Sequence, residues 1–247
     1  MNTIKIMCIL ASVLMLTVSC ENNAIELKSG SSAVLNYEDQ YQIDAVSALP
    51  LTYTTQNPFN AQVSASGLVE AGHVGETYVT IDNTKESMDV RIVVEPKYNL
   101  YPTPSLDWGT SKSSIIAKYG SPDVEDANGV GYKNYSFAAP ICIFLFDKTG
   151  GLMGVGVYVK TQYSSALTYF LIERYQVISV DGSSDRIASF VDGLSKETIK
   201  SFVSISLENL SHFRVTYIEA NLSSRTKSPD TDPLQSQFEE ILAKIEK

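Results

Sequence analysis

Few side chains in this sequence stand at spacings that could do chemistry together. Ser224 and Lys227 make a Ser-x-x-Lys pair, in which a lysine can serve a nucleophilic serine. They sit in the polar run "NLSSRTKSPDTDP", off any helix, and the "SDN" and "KTG" companions of that chemistry are absent. Asp181 and Asp185 in "VDGSSD" could face calcium, but the loop lacks a full set of oxygen ligands and reads as an acidic turn. His73, beside a glycine turn, has no second ligand at metal spacing and is expected at the surface. His212 lies in a turn without an acidic or nucleophilic partner. "GGLMGVG" belongs to a hairpin and makes no phosphate loop. Cys142, inside "ICIFLF", has no cationic neighbour to lower its pKa and reads as a buried, inert thiol. No nucleophile, base and orienter come together, so the sequence assigns no catalytic residue, no metal and no cofactor.

What remains is binding. "EPKYNLYPTPSLDWG" carries Tyr98, Tyr101 and Trp108 on a proline-stiffened connector. Left in solvent, these rings would form a ligand-binding patch. The competing expectation is that they pack the connector against the second domain, since large exposed aromatics are costly unless used.

The elements that would position such a patch begin after a targeting segment. Lys5 precedes an apolar run from Ile6 to Val18 that is too short to span a bilayer comfortably, the pattern of a secretory signal. Its ending, "TVSC", resembles the lipobox of bacterial lipoproteins, with Val18 and Ser19 in place and Thr17 departing from the usual leucine. The resemblance implies cleavage of residues 1–19 and lipid on Cys20, with residues 20–23 as a tether. Several acyl chains would hold the protein stably on a membrane, the outer membrane of the cell envelope being the expected location. Cys8 leaves with the signal, so only Cys142 stays a thiol and no disulfide can form within one mature chain.

With 28 acidic against 19 basic residues, the chain carries a formal charge of -9, which opposes nucleic acid or anionic lipid as a partner. A hydrophobic share of 44% marks a folding sequence, long enough for two modest domains.

Residues 24–96 hold short alternating runs: "AIEL", "SAVLNY", "YQIDAV", "LTYTT", "AQVS", "GLVEA", "ETYVTID" and "MDVRIVVE". Many short strands at close spacing predict a β-sandwich. "VSASGLVEAGHVGETYVTI" resembles the bacterial Ig-like domain of group 2, with Gly67 and Gly75 at its turns and Val69, Ala71, Val79 and Ile81 expected inward. Tyr53 stands where that family often has tryptophan. The resemblance implies a spacer or adhesive module and carries no catalytic residue with it.

Residues 97–221 predict an α+β domain. "GTSKSSIIAKYGSPD" reads as a capped helix stopped by Gly120 and Pro122. The strands "YKNYSF", "ICIFLFDK" and "LMGVGVYVK" come after it. A second helix over "SSALTYFLIERYQVI" precedes "RIASFVDG", "TIKSFVSISLE" and "FRVTYIEA". Two helix-plus-three-strand units predict one antiparallel sheet with both helices on one face. The topology is similar to beta-lactamase-inhibitor-like and small outer-membrane lipoprotein folds. After a linker at 222–233, residues 234–247 place Leu234, Phe238, Ile241, Leu242 and Ile245 on one helical face. That helix could dock on its own domain or on a partner.

The whole reads as a mostly β, membrane-anchored envelope lipoprotein. It is expected to bind a protein or glycan, with the Ig-like unit as spacer; the alternative is an envelope hydrolase with a dispersed site in the α+β domain.

Overall fold

The computed structural model describes residues 23–180, 186–220 and 233–246. Cys8, Cys20, the Asp181/Asp185 turn and the Ser224/Lys227 pair therefore lie outside the described residues. The architecture is mostly β: an Ig-like sandwich, then an α+β domain with a C-terminal helix.

The first unit contains β1 (Glu26–Leu27), β2 (Ser32–Asn36), β3 (Gln40–Gln42), β4 (Ala45–Val46), β5 (Thr52–Thr55), β6 (Ala61–Val63), β7 (Leu68–Ala71), β8 (Gly75–Asp82) and β9 (Ser87–Glu95). Sheet β2-β9-β8-β5 faces sheet β3-β7-β6, while β1 pairs with β4. Alternation does the sorting, because successive side chains on a strand point to opposite faces. Val79 and Ile81 of β8 and Val90, Ile92 and Val94 of β9 are all buried, and Val69 and Ala71 meet them from β7. Tyr53 packs against this core.

"YQIDAV" is two strands and not one. β3 pairs with β7 and β4 with β1, so the chain changes sheets between Gln42 and Ala45, and Ile43 is buried at the crossing. Gly67 has φ 80°, and a Cβ there would stand 3.0 Å from both the Ile43 carbonyl oxygen and the Tyr53 ring. Glycine is required on both counts.

The second unit opens with α1 (Lys112–Tyr119), capped by the Ser111 side chain accepting from the Ser114 N–H and closed by Gly120 at φ 87°. Four strands come next: β10 (Val124–Glu125), β11 (Gly129–Lys133), β12 (Ile141–Phe146) and β13 (Leu152–Lys160). A short 3-10 turn (Thr161–Tyr163) leads into α2 (Ser164–Ile172). Then come β14 (Gln176–Val180), β15 (Arg186–Val191), β16 (Ser201–Asn209) and β17 (His212–Glu219). Each half is thus a helix plus four strands, where the sequence suggested three. The extra strand in the second half comes from the predicted helix, which stops at Ile172. The Arg174 and Tyr175 N–H groups close it on the Leu171 carbonyl. "QVISV" then extends, as β-branched residues prefer.

All eight strands form one antiparallel sheet, ordered β10-β11-β12-β13-β17-β16-β15-β14. The two halves are meanders that meet through their last strands, from Gly154 opposite Ile218 to Lys160 opposite His212. Val155, Val157, Val159, Val215 and Tyr217 face α1 and α2, sharing a core with Ile115, Leu167, Phe170 and Leu171.

The opposite face is partly covered by α3 (Pro233–Ile245). Leu234, Phe238, Ile241, Leu242 and Ile245 pack on Ile143, Leu145 and Tyr158. Glycines make the seat: a Cβ on Gly129, Gly131 or Gly156 would fall 2.5, 2.4 or 2.8 Å from Ile241, Ile245 or Phe238. The C-terminal helix therefore docks within its own chain.

Candidate functional site

The first site-like cluster is the joint between the two units, and it corrects the reading of His73. That residue is buried, not exposed. Its ring lies 4.3 Å from the Phe59 ring and 5.8 Å from that of Tyr37, centre to centre. Nδ1 stands 3.0 Å from the Ile172 carbonyl oxygen at the end of α2. Next to it, the Val74 N–H donates to the Glu173 carbonyl at 2.7 Å. Burial holds the His73 pKa below its ordinary value, against hydrogen bonds that act the other way.

Glu173 is the keystone, at 3% exposure. Its two carboxylate oxygens accept from the N–H groups of Lys97 and Tyr98, both at 3.0 Å, on the connector. Arg174 Nη1 donates to the same carboxylate at 2.5 Å and to the Phe170 carbonyl at 3.0 Å. Its guanidinium carbon sits 3.9 Å from the centre of the Phe170 ring. A buried carboxylate is tolerable only when paired and hydrogen-bonded, and here it is both. The sequence signal was a Glu-Arg pair within the apolar run "YFLIERYQVISV".

The aromatic trio does not assemble. Tyr101 is buried against Phe170, its hydroxyl 2.8 Å from that of Tyr217. Trp108 packs on the helix-side core and donates Nε1–H to Ser201 Oγ at 3.2 Å. Only Tyr98 stays exposed, stacked on the exposed Tyr169 with ring centres 4.9 Å apart. As expected, Cys142 is fully buried, and burial pushes its thiol pKa up.

Under α3 lies a second polar cluster. Arg214 Nη1 is 3.0 Å from Glu208 Oε2 without hydrogen-bond alignment. Arg214 Nε, Tyr158 Oη and Gln237 Oε1 have no hydrogen-bond partner among the described residues. Burial raises the Glu208 pKa despite the neighbouring guanidinium. Among the described residues, no group of three His, Cys, Asp or Glu could hold a metal ion, and no helix is long and apolar enough to cross a membrane.

The third feature is the end of the sheet away from the joint. Leu210 (93% exposed), Phe137 (80%) and Val180 (75%) are the most exposed large hydrophobic residues among those described. Phe137 and Leu210 come together at the end of β13, while Val180 lies at the outer edge of the sheet on β14. β13 ends at Lys160, where the β11–β12 loop and the β16–β17 turn meet it. Lys160 donates its N–H to the Ala138 carbonyl and its Nζ to that of Phe137, at 2.9 and 2.8 Å. Thr161 donates its N–H to the Ser211 carbonyl and its hydroxyl to that of Leu210, at 2.9 and 3.1 Å.

No family model and no curated protein matches this chain. Among solved structures, domains 4-9 of the surface layer protein SbsC are similar at 14% identity and TM-score 0.24, over 80% of this chain. The match spans only 27% of that chain. SbsC domains 5-6 match over 79% of this chain and 95% of theirs, also at 14% and 0.24. EC1-2 of human Protocadherin-24 matches at 12% identity and TM-score 0.26, over 78% of this chain and 94% of its own. Likenesses at these scores carry neither fold nor function to this chain, whose mostly β architecture rests on its own strands.

Proposed function

We propose that this chain is a cell-envelope lipoprotein, fixed to a membrane through Cys20, in which the Ig-like unit is a spacer that presents the α+β domain to a binding partner. The observation that carries this reading is a polarity in the first unit. Asn23 lies at the end marked by Asn83, whose side chain donates to its carbonyl. The joint to the second domain lies at the other end, beside Gly75. β8 runs the full length between them, eight residues or roughly 26 Å. An anchor just before residue 23 would therefore hold the second domain away from the membrane. The buried Glu173 fastening makes the spacer stiff instead of letting it swing.

Mass spectrometry of the membrane form tests the anchor: an acylated N-terminal Cys20 peptide is expected, and Cys20→Ala should accumulate unprocessed precursor. A free N-terminus at Ser19 or Glu21 would overturn it.

A further inference from the structure

We infer that the end of the second domain far from the joint is a membrane-contacting pole, which inserts Phe137 and Leu210 into the interface of a phospholipid bilayer. Large apolar side chains on a surface mark an interaction site when they gather, and the two most exposed of those described, Phe137 and Leu210, stand side by side at the end of β13. They stand on separate connections, β11–β12 and β16–β17. A protein partner would need separate recesses at matched spacing, whereas a fluid interface accepts any spacing.

The turns themselves are firm. Besides the bonds from Lys160 and Thr161, Asn209 Oδ1 accepts from the Ser211 and His212 N–H groups at 2.8 and 2.9 Å. Ser136 Oγ accepts from the Ala139 N–H at 2.9 Å. Behind the tips comes the layer that suits lipid headgroups. The Tyr163 ring lies 6.3 Å from that of Phe137, and Lys160 Nζ is 4.6 Å from the Phe137 ring centre. Lys133 is exposed on the same end. Aromatic rings with a polar tip, and lysines with an apolar stem, favour this depth. The nearby acids, Glu208 facing Arg214 and Glu246 close to His212, keep this end from being basic and favour zwitterionic headgroups over anionic ones. Because the pole is remote from residue 23, a chain also held by Cys20 would link two facing bilayers.

Vesicle flotation of the chain from residue 23 onward, which lacks Cys20, tests the pole independently of the anchor. Vesicles of zwitterionic phosphatidylethanolamine and phosphatidylcholine should carry the protein. Phe137→Ser and Leu210→Ser should each weaken partitioning by about tenfold or more, with unchanged melting. An environment-sensitive dye on Leu210→Cys should shift to the blue on vesicle addition. Absence of flotation, or flotation indifferent to both substitutions, would overturn the inference. So would a concentration-dependent dimer that both substitutions abolish, which would give the pole to a second copy of the chain.

Discussion

The two faces of the eight-stranded sheet are made by the same alternation of side chains but finished differently. The face under α1 and α2 is lined by large apolar and aromatic side chains, with the Tyr101 and Tyr217 hydroxyls satisfying each other. The face under α3 has glycines for a floor and buried polar atoms without hydrogen-bond partners. The first covering comes from helices joined directly to the strands they cover. The second arrives from the end of the chain, after a polar connection. Local connection gives a sealed core; a remote covering gives a seat that one element fills.

The sharpest way to break this contrast is Phe170→Ala. It removes a fully buried ring that touches Tyr101 and Arg174. A loss of about 3–5 kcal/mol is expected in denaturant unfolding. Glu173→Ala comes next, because it leaves Arg174 and two connector N–H groups without their carboxylate. Removing one partner of a buried pair costs about 3 kcal/mol. Hydrogen exchange should locate the loss at Lys97 and Tyr98, with α3 unaffected.

Gly131→Val acts on the other face alone. Its Cβ would stand 2.4 Å from Ile245 Cδ1, so the Ile245 side chain must give, and the bulk of valine then presses on Ile241 and loosens the seat of α3. Overpacking of this kind costs about 1–3 kcal/mol. Proteolysis should then cut near α3 while the helix-side tyrosines keep their near-ultraviolet signal. Loss of that signal would mean that the two faces are one cooperative core.

The smallest effect is one of pH. His73 is buried with its pKa held below the ordinary 6.5. The unfolded chain therefore takes up the proton first as pH falls. The stability that the joint draws from a neutral His73 is complete above that value, and is lost as pH falls through it toward the folded value. Thermal melts at pH 7.5 and 5.5 should differ by a few degrees more in the native chain than in His73→Phe.

The sequence made the strands of the sandwich legible because β8 and β9 alternate so regularly that inward positions could be named. The sheet with both helices on one face was also readable, from the repeated order of helix and strands. Two things hid. Ile43 looked like mid-strand, since nothing local says that a chain changes sheets there. The end of α2 was masked because "ERYQVI" satisfies a helical period and a strand composition alike. The joint was harder still. His73 and Glu173 are a hundred positions apart, and each becomes buried only when both units are present. Of the aromatic trio, Tyr101 and Trp108 took the packing alternative, and Tyr98 alone stayed in solvent. Phe137 and Leu210 were passed over because single apolar residues in turns are ordinary until topology brings their turns together.

The meeting of the two meanders at β13 and β17 has a consequence for how the domain is assembled. Within each half, every strand pairs with its neighbour in sequence, so these contacts form early and with little loop closure. The seam joins residues more than fifty positions apart, such as Gly154 and Ile218. Until it closes, each half shows an unpaired edge, β13 or β17, and those edges invite pairing with another chain. The seam is thus the slow step and the point of greatest aggregation risk. A chain cut within α2 would leave two fragments, each carrying half of a sheet that only the other can complete.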